Sequence, residues 1–252
     1  MPDTFREAMR AFARLSDEHM AKDWDWPGHT GEQLQVRDAL YRSLEDEQAA
    51  RAAAEPDPTE AARILELAQC AFGDLCGLLV GLDDAVLDAS PGASDWSLRE
   101  VLDHIQRVDL SYTRQIRHAL RRSGDEPLSL DRPVGETDTG GGIADWLDRL
   151  AAIRDQTFQH ATLSGEQLTK PSRWAGYVID VRFRLHRFAS HIVEHTIQCE
   201  KTLVALNQRP TEAARIVRRI WATRGAHERR SSPEVLARLD AQHTERALLA
   251  HA

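Results

Sequence analysis

At 252 residues and 28.4 kDa the chain can form one large domain or two small ones, and either buries a core without covalent staples. Its 42% hydrophobic and 29% charged residues describe an ordered globular chain, and a net charge of -8 argues against a dedicated nucleic-acid binder. Three cysteines without a CxxC exclude a disulfide scaffold or a Cys-rich zinc module and point to a reducing cytoplasm. The longest apolar stretch, Cys70 to Leu82, is interrupted by Asp74 and glycines and falls short of the about 20 residues a membrane span needs. No basic-then-apolar signal segment is expected at Met1–Arg14.

The texture is helical, rich in Ala, Leu, Arg, Glu and Gln. Pro2 and Asp3 open a first helix to about Ala21, which Trp24-Asp25-Trp26-Pro27-Gly28 breaks. A second runs from about Glu32 to Ala54 and stops before Pro56 and Pro58. Thr59 caps a third, to about Gly81, with Ile64, Leu65, Ala68, Phe72, Leu75 and Leu79 at helical spacing. Ser97-Leu98-Arg99-Glu100 is a capping box that starts a helix to about Arg122 carrying Val101, Leu102, Ile105, Val108, Tyr112 and Ile116. A loop over 123–138 leads to a helix from Ile143 to about Thr162. A second long connection, 163–177, precedes the one β-like run, Tyr177–Val181. That run is either a short strand or the first turn of a helix to about Leu206. Two more helices follow, over 211–223 and 233–249. The heptapeptide Pro58–Ile64 recurs as Pro210–Ile216, and the shared residues are helix-start chemistry rather than a duplication. The expected architecture is all-α: a four-helix bundle over 59–207 (helices 59–81, 97–122, 143–162 and 181–206), with an N-terminal extension (1–55) and a C-terminal one (209–252) packed onto it as one helical domain.

The 11 histidines carry the chemistry. His191 and His195 are i and i+4, so they share one helix face about 6 Å apart along the axis, a spacing that lets two imidazoles converge on one metal. Phe188, Ile192 and Cys199 lie on the same face, which therefore points inward. His104 sits on the Val101, Ile105, Val108 stripe of another bundle helix. Three histidines from two helices can make an open divalent site; the alternative is a set of core histidines satisfied by hydrogen bonds. His186 is turned about 140° from His191 and is the poorer candidate.

These residues also carry a resemblance. Trp96-Ser97-Leu98-Arg99-Glu100-Val101-Leu102-Asp103-His104 resembles the W-S-x-x-E-x-L-x-H motif of the DinB superfamily, and His191-Ile192-Val193-Glu194-His195-Thr196-Ile197-Gln198 resembles that family's H-x-x-x-H segment on the last bundle helix. The resemblance covers roughly 59–207. It implies a four-helix bundle with a three-His divalent site, often zinc or nickel, and thiol-dependent transferases and isomerases such as mycothiol-dependent maleylpyruvate isomerase and bacillithiol transferases. Carried onto this chain, the metal ligands are His104, His191 and His195. The implied cofactors are zinc first, nickel second, together with a low-molecular-weight thiol such as mycothiol or bacillithiol. The implied partners are that thiol and an electrophile, with no membrane or nucleic acid; a homodimer stays open. Metal-dependent hydrolysis and a non-catalytic module with a structural or vestigial site are the alternatives.

His191-Ile192-Val193-Glu194-His195 also fits H-x-x-E-H, in which the Glu is a general base. That pattern belongs to mixed α/β proteins, and this chain offers almost no strands. Glu194 is therefore expected beside the site or in solvent. Cys199, i+4 to His195, is expected as a small buried residue, with a fourth-ligand or nucleophile role as the alternative. Trp174 and Tyr177 are candidates for a pocket wall. Residues 209–230 hold seven Arg and two acidic residues; they are expected to pair with acidic helices nearby, the alternative being a surface for an anion, a nucleic acid or an acidic partner.

Overall fold

The computed structural model describes residues 3–26, 33–56, 58–130 and 134–251. Pro2, Pro27, Gly28 and Glu32, which figure in the expected helix boundaries, lie outside them. In chain order the elements are α1 (Asp3–Ala13), α2 (Asp17–Met20), β1 (Asp23–Trp24), β2 (Leu34–Gln35), α3 (Val36–Ala53), α4 (Glu60–Leu79), α5 (Leu98–Arg121), α6 (Ile143–Phe158), α7 (Gly165–Leu168), β3 (Pro171–Trp174), β4 (Tyr177–Asp180), α8 (Val181–Ala205), α9 (Glu212–His227) and α10 (Pro233–Ala250), with a 3-10 turn at Asp84–Val86. The fold is all-α, with two antiparallel strand pairs, β1–β2 and β3–β4, as its only sheets among the described residues.

Helix starts follow the local chemistry. The Thr59 side chain accepts from Ala62 N at 3.0 Å and that of Thr211 from Ala214 N at 3.2 Å, so both copies of the Pro-Thr-Glu segment serve as helix starts. At Ser97 the capping box is complete: Glu100 N donates to Ser97 Oγ at 3.3 Å and Ser97 N to Glu100 Oε2 at 2.8 Å. Three expectations change. The helix expected to Ala21 ends at Ala13, because Ser16 caps the separate α2 by accepting from His19 N at 3.1 Å. The second helix begins at Val36, after a two-residue strand, where Gln35 N donates to Asp38 Oδ2 at 2.7 Å. The connection 163–177 contains α7, capped by Ser164, and β3. Tyr177–Asp180 is a strand paired with β3, and Asp180 caps α8 by accepting from Phe183 N at 2.7 Å.

Helices α4, α5, α6 and α8 form the bundle: α4 and α5 each pack against both α6 and α8. The outer side of α4 is covered as well. Its most extensive contact is with α9, which in turn packs on α3 and α1, while α10 packs on α1 and α3. Single-faced burial, expected for α4 from its Ile64–Leu79 pattern, therefore gives way to burial nearly all round. The helices meet backbone to backbone: a Cβ on Gly73 would lie 2.2 Å from Trp221 O, and one on Gly225 2.4 Å from Gln69 O. Two apolar clusters result. One joins Ile105, Ile192 and Cys199 to the extensions through Phe72, Leu75, Trp221 and Phe5; the other holds Tyr112, Ile116, Leu185 and Phe188.

Candidate metal centre

The layer between the two clusters is polar. On α5, Ile105 belongs to one cluster and Tyr112 to the other, with the buried Asp109 between them; on α8, Phe188 and Ile192 flank His191. The capping box sets where α5 begins, and the helical pitch carries His104 to the side facing α8. His104, His191 and His195 each offer a ring nitrogen, and these atoms all lie within 4.8 Å of one another. The His191 and His104 Nε2 atoms are 3.3 Å apart. Ring centroids are 4.5 Å apart for His191–His195 and 4.6 Å for His104–His195.

This donor set fits a divalent cation. At a Zn–N distance of about 2.0–2.1 Å, two ligands of a tetrahedral ion lie about 3.3–3.4 Å apart, the separation seen between His104 and His191. The protonation states agree as well. Burial, with His195 and His191 beside it, lowers the pKa of His104; burial, then His195, pushes His191 down to about 4. Both rings are therefore neutral at pH 7, as ligands must be. His195 Nδ1 donates to Gln198 Oε1 at 2.8 Å, which leaves Nε2 with its lone pair. His191 Nδ1 lies 3.6 Å from Asp109 Oδ1, and that nitrogen and both Asp109 oxygens are buried without another partner. Burial pushes the Asp109 carboxyl well above the usual range. A cation on the far side of His191 would oppose that shift and draw Nδ1–H toward the carboxylate, the usual support of a metal-bound imidazole.

The histidines form part of the wall of an open cavity of ≈ 700 Å³, which Tyr112, Trp174, Arg184, Arg187 and Glu194 also line. Trp174 is held there by Phe183, with ring centroids 5.8 Å apart, and by the Arg187 guanidinium 4.9 Å above its ring. Its expected companion Tyr177 does not join it: 71% exposed, it stands outside the cavity lining and has no such ring contact among the described residues. Cys199 is also displaced from the site. It is fully buried in the apolar cluster, outside the cavity lining, and burial pushes its thiol up to about 12, so it supplies no thiolate at neutral pH. Glu194 is on the wall but largely solvated, 3.8 Å from Arg187. His186 is exposed, and His118 hydrogen-bonds to Pro127 O at 2.7 Å.

Four contributors escaped the sequence reading: Asp109, Gln198 as a partner of His195, Arg184 and Arg187. The signals were present. Asp109 is an acidic residue four after Ile105 and three before Tyr112, on an apolar stripe. Arg184 is seven before His191 and Arg187 four before it, hence on the inward face. Four arginines of the basic segment 209–230 pair with acidic residues of other helices, as expected: Arg218 with Asp74 and Glu200, Arg224 with Glu47 and Asp240, Arg229 with Asp155, Arg230 with Glu66.

Known proteins resemble the chain. A solved structure, YfiT from Bacillus subtilis, is described as a probable metal-dependent hydrolase with an unusual four-helix bundle topology. It superposes with a TM-score of 0.50 at 14% identity, over 62% of this chain and 94% of that one, a likeness of fold. YuaE, an uncharacterized protein of Bacillus subtilis (strain 168), is 37% identical over 50 residues, which span 20% of this chain and 29% of the relative. The family model of the DinB superfamily matches residues 71–199, about half of the chain and the stretch that holds all three histidines. The chain belongs to the DinB superfamily.

Proposed function

We propose that the chain binds one divalent metal through His104, His191 and His195, zinc before nickel, and is an enzyme that activates a low-molecular-weight thiol for attack on an electrophile. The observation that carries this reading is the convergence of three imidazoles on the wall of an open cavity. A structural site would be closed, and this one has room beside it. A divalent ion there supplies Lewis acidity that lowers the pKa of a thiol or a water molecule. Asp109 and Gln198 orient His191 and His195. Trp174 and Tyr112 give the cavity apolar surface, and a volume of ≈ 700 Å³ suits two small reactants together. The S–H bond breaks as its proton passes to Glu194, the carboxylate on the cavity wall among the described residues. The sulfur electron pair forms the bond to an electrophilic carbon. The pair it displaces leaves with the departing group or, in addition to a double bond, moves onto the neighbouring atom, which takes the proton back from Glu194.

Hydrolysis is the second reading, favoured by what YfiT is described as and by the same open wall. In either case the setting proposed is the cytoplasm, where low-molecular-weight thiols stay reduced; no helix among the described residues is long and apolar enough to cross a membrane. Metal analysis of protein purified without chelators tests the site: about one ion per chain in wild type, lost in His191→Ala. Absence of stoichiometric metal in wild type sinks the reading. Turnover of electrophiles that requires added mycothiol or bacillithiol separates transfer from hydrolysis, which needs no thiol.

A further inference from the structure

Four arginines are buried among the described residues, and three of them have carboxylate partners: Arg154 with Glu228, Arg224 with Glu47 and Asp240, Arg246 with Asp46. Arg184 is the fourth. Only 3% exposed, it forms no ion pair with any described residue. Its Nη2 donates to Arg173 O at 2.6 Å and lies 3.4 Å from Ser172 Oγ, the guanidinium sits 5.2 Å from the Tyr112 ring centroid, and Nε is buried with no partner. A guanidinium cannot shed its charge, and a buried charge left unpaired is costly. Arg184 lines the cavity beside the three histidines.

Arg187, one turn nearer His191, repeats the pattern. Its Nη1 donates to Ser190 Oγ at 3.2 Å and its nearest carboxylate is the solvated Glu194 at 3.8 Å, but its Nε is likewise buried without a partner. Arg173 adds a third cation to the same wall, against the single carboxylate of Glu194 among the described residues. Among the described residues the cavity is thus a cationic recess whose two guanidinium groups keep unpaired N–H donors, the groups that carboxylates and phosphates satisfy.

We infer, on the footing of the metal reading above, that the ligand of this cavity carries an oxyanion, a carboxylate or a phosphate, held by Arg184 and Arg187 while its reacting end faces the histidines. The spacing along α8 sets the ligand's length. Arg187 and Arg184 precede His191 by four and seven residues, so the anionic group sits about 6–10 Å from the metal ligands along the helix axis. The site therefore selects a short anionic molecule, either the thiol or its electrophile, over a neutral one of equal size.

The test titrates the full chain, dialysed against zinc and freed of excess, with succinate, its neutral diamide succinamide and inorganic phosphate, while the metal content of each sample is measured. Succinate or phosphate should bind at least tenfold more tightly than succinamide, and the ratio between the two anions tells carboxylate from phosphate. R184Q and R187Q should each weaken the preferred anion at least tenfold, and R184K should recover part of the loss. Equal binding of succinate and succinamide, no saturable binding of either anion, or wild-type affinity in R187Q overturns the inference. R187Q decides the matter if R184Q does not fold, because Arg187 is only partly buried. Metal content separates the two failures. Arginine-dependent anion binding in a protein that holds no stoichiometric zinc rejects the metal reading and keeps the anion site; stoichiometric zinc without anion binding does the reverse.

Discussion

Asp109 is the residue on which the proposed centre leans without its being a ligand. Fully buried between two apolar clusters, it faces His191 Nδ1 at 3.6 Å and has no other partner among the described residues. Replacing it with Asn keeps the shape but removes the carboxylate toward which a bound cation would draw His191 Nδ1–H. Asp109→Asn should weaken zinc 10–100-fold, read by competition with a chromophoric chelator, with unchanged helical circular dichroism. The three histidines were legible in the sequence because i,i+4 spacing and an apolar stripe report which face a side chain occupies. Asp109 and Arg184 were not, because a charged residue on a helix is by default read as solvated. Only the packing of α8 against α5 removes their water.

At the scale of elements, the helix starts were legible because Thr59, Ser97 and Thr211 act on amides three residues away. What escaped were features set by partners distant in sequence. The β3–β4 hairpin is short, and its turn residues Ala175 and Gly176 both have positive φ (47° and 86°), a two-residue reversal that Ala175 does not announce. The α4–α9 crossing was equally hidden, because a glycine inside a helix reads as a weak former rather than as a place where another backbone arrives. Gly73→Ala places a methyl against Trp221 O, which has no flexible end to yield. It should destabilise the chain by about 1–3 kcal/mol, the range for an overpacked core, measured by urea denaturation, and an Ala at the exposed Gly124 should not.

Across the whole molecule, one fully buried carboxylate ties the two extensions together at three points. Glu47 on α3 accepts from His227 Nε2 at 2.6 Å, His243 Nε2 at 2.8 Å and Arg224 Nη1 at 3.0 Å. Burial by itself raises its pKa, but the hydrogen bonds from His227 and His243 and the charge of Arg224 outweigh that and hold it at about 2. A carboxyl whose folded pKa lies below its unfolded value of 4.5 contributes stability above pH 4.5, which drains away as pH falls toward 2. Glu47→Ala leaves three buried donors without an acceptor and should cost about 3–5 kcal/mol; chemical denaturation at pH 7 measures it, and the mutant should lose part of the wild-type acid sensitivity between pH 4.5 and 2. The extensions thus belong to the packed core through α4, α9 and Glu47, a long-range arrangement that no local pattern in 1–55 or 209–252 revealed. The hairpin has a further consequence. The histidines stand on long helices locked into the bundle, whereas Arg173, Trp174, Ala175 and Gly176 enter the cavity from a turn fastened mainly to itself, with lesser contacts to α5 and α8. Inheritance can therefore rewrite those four positions, and with them the choice of guest, while the scaffold that holds the histidines passes on unaltered.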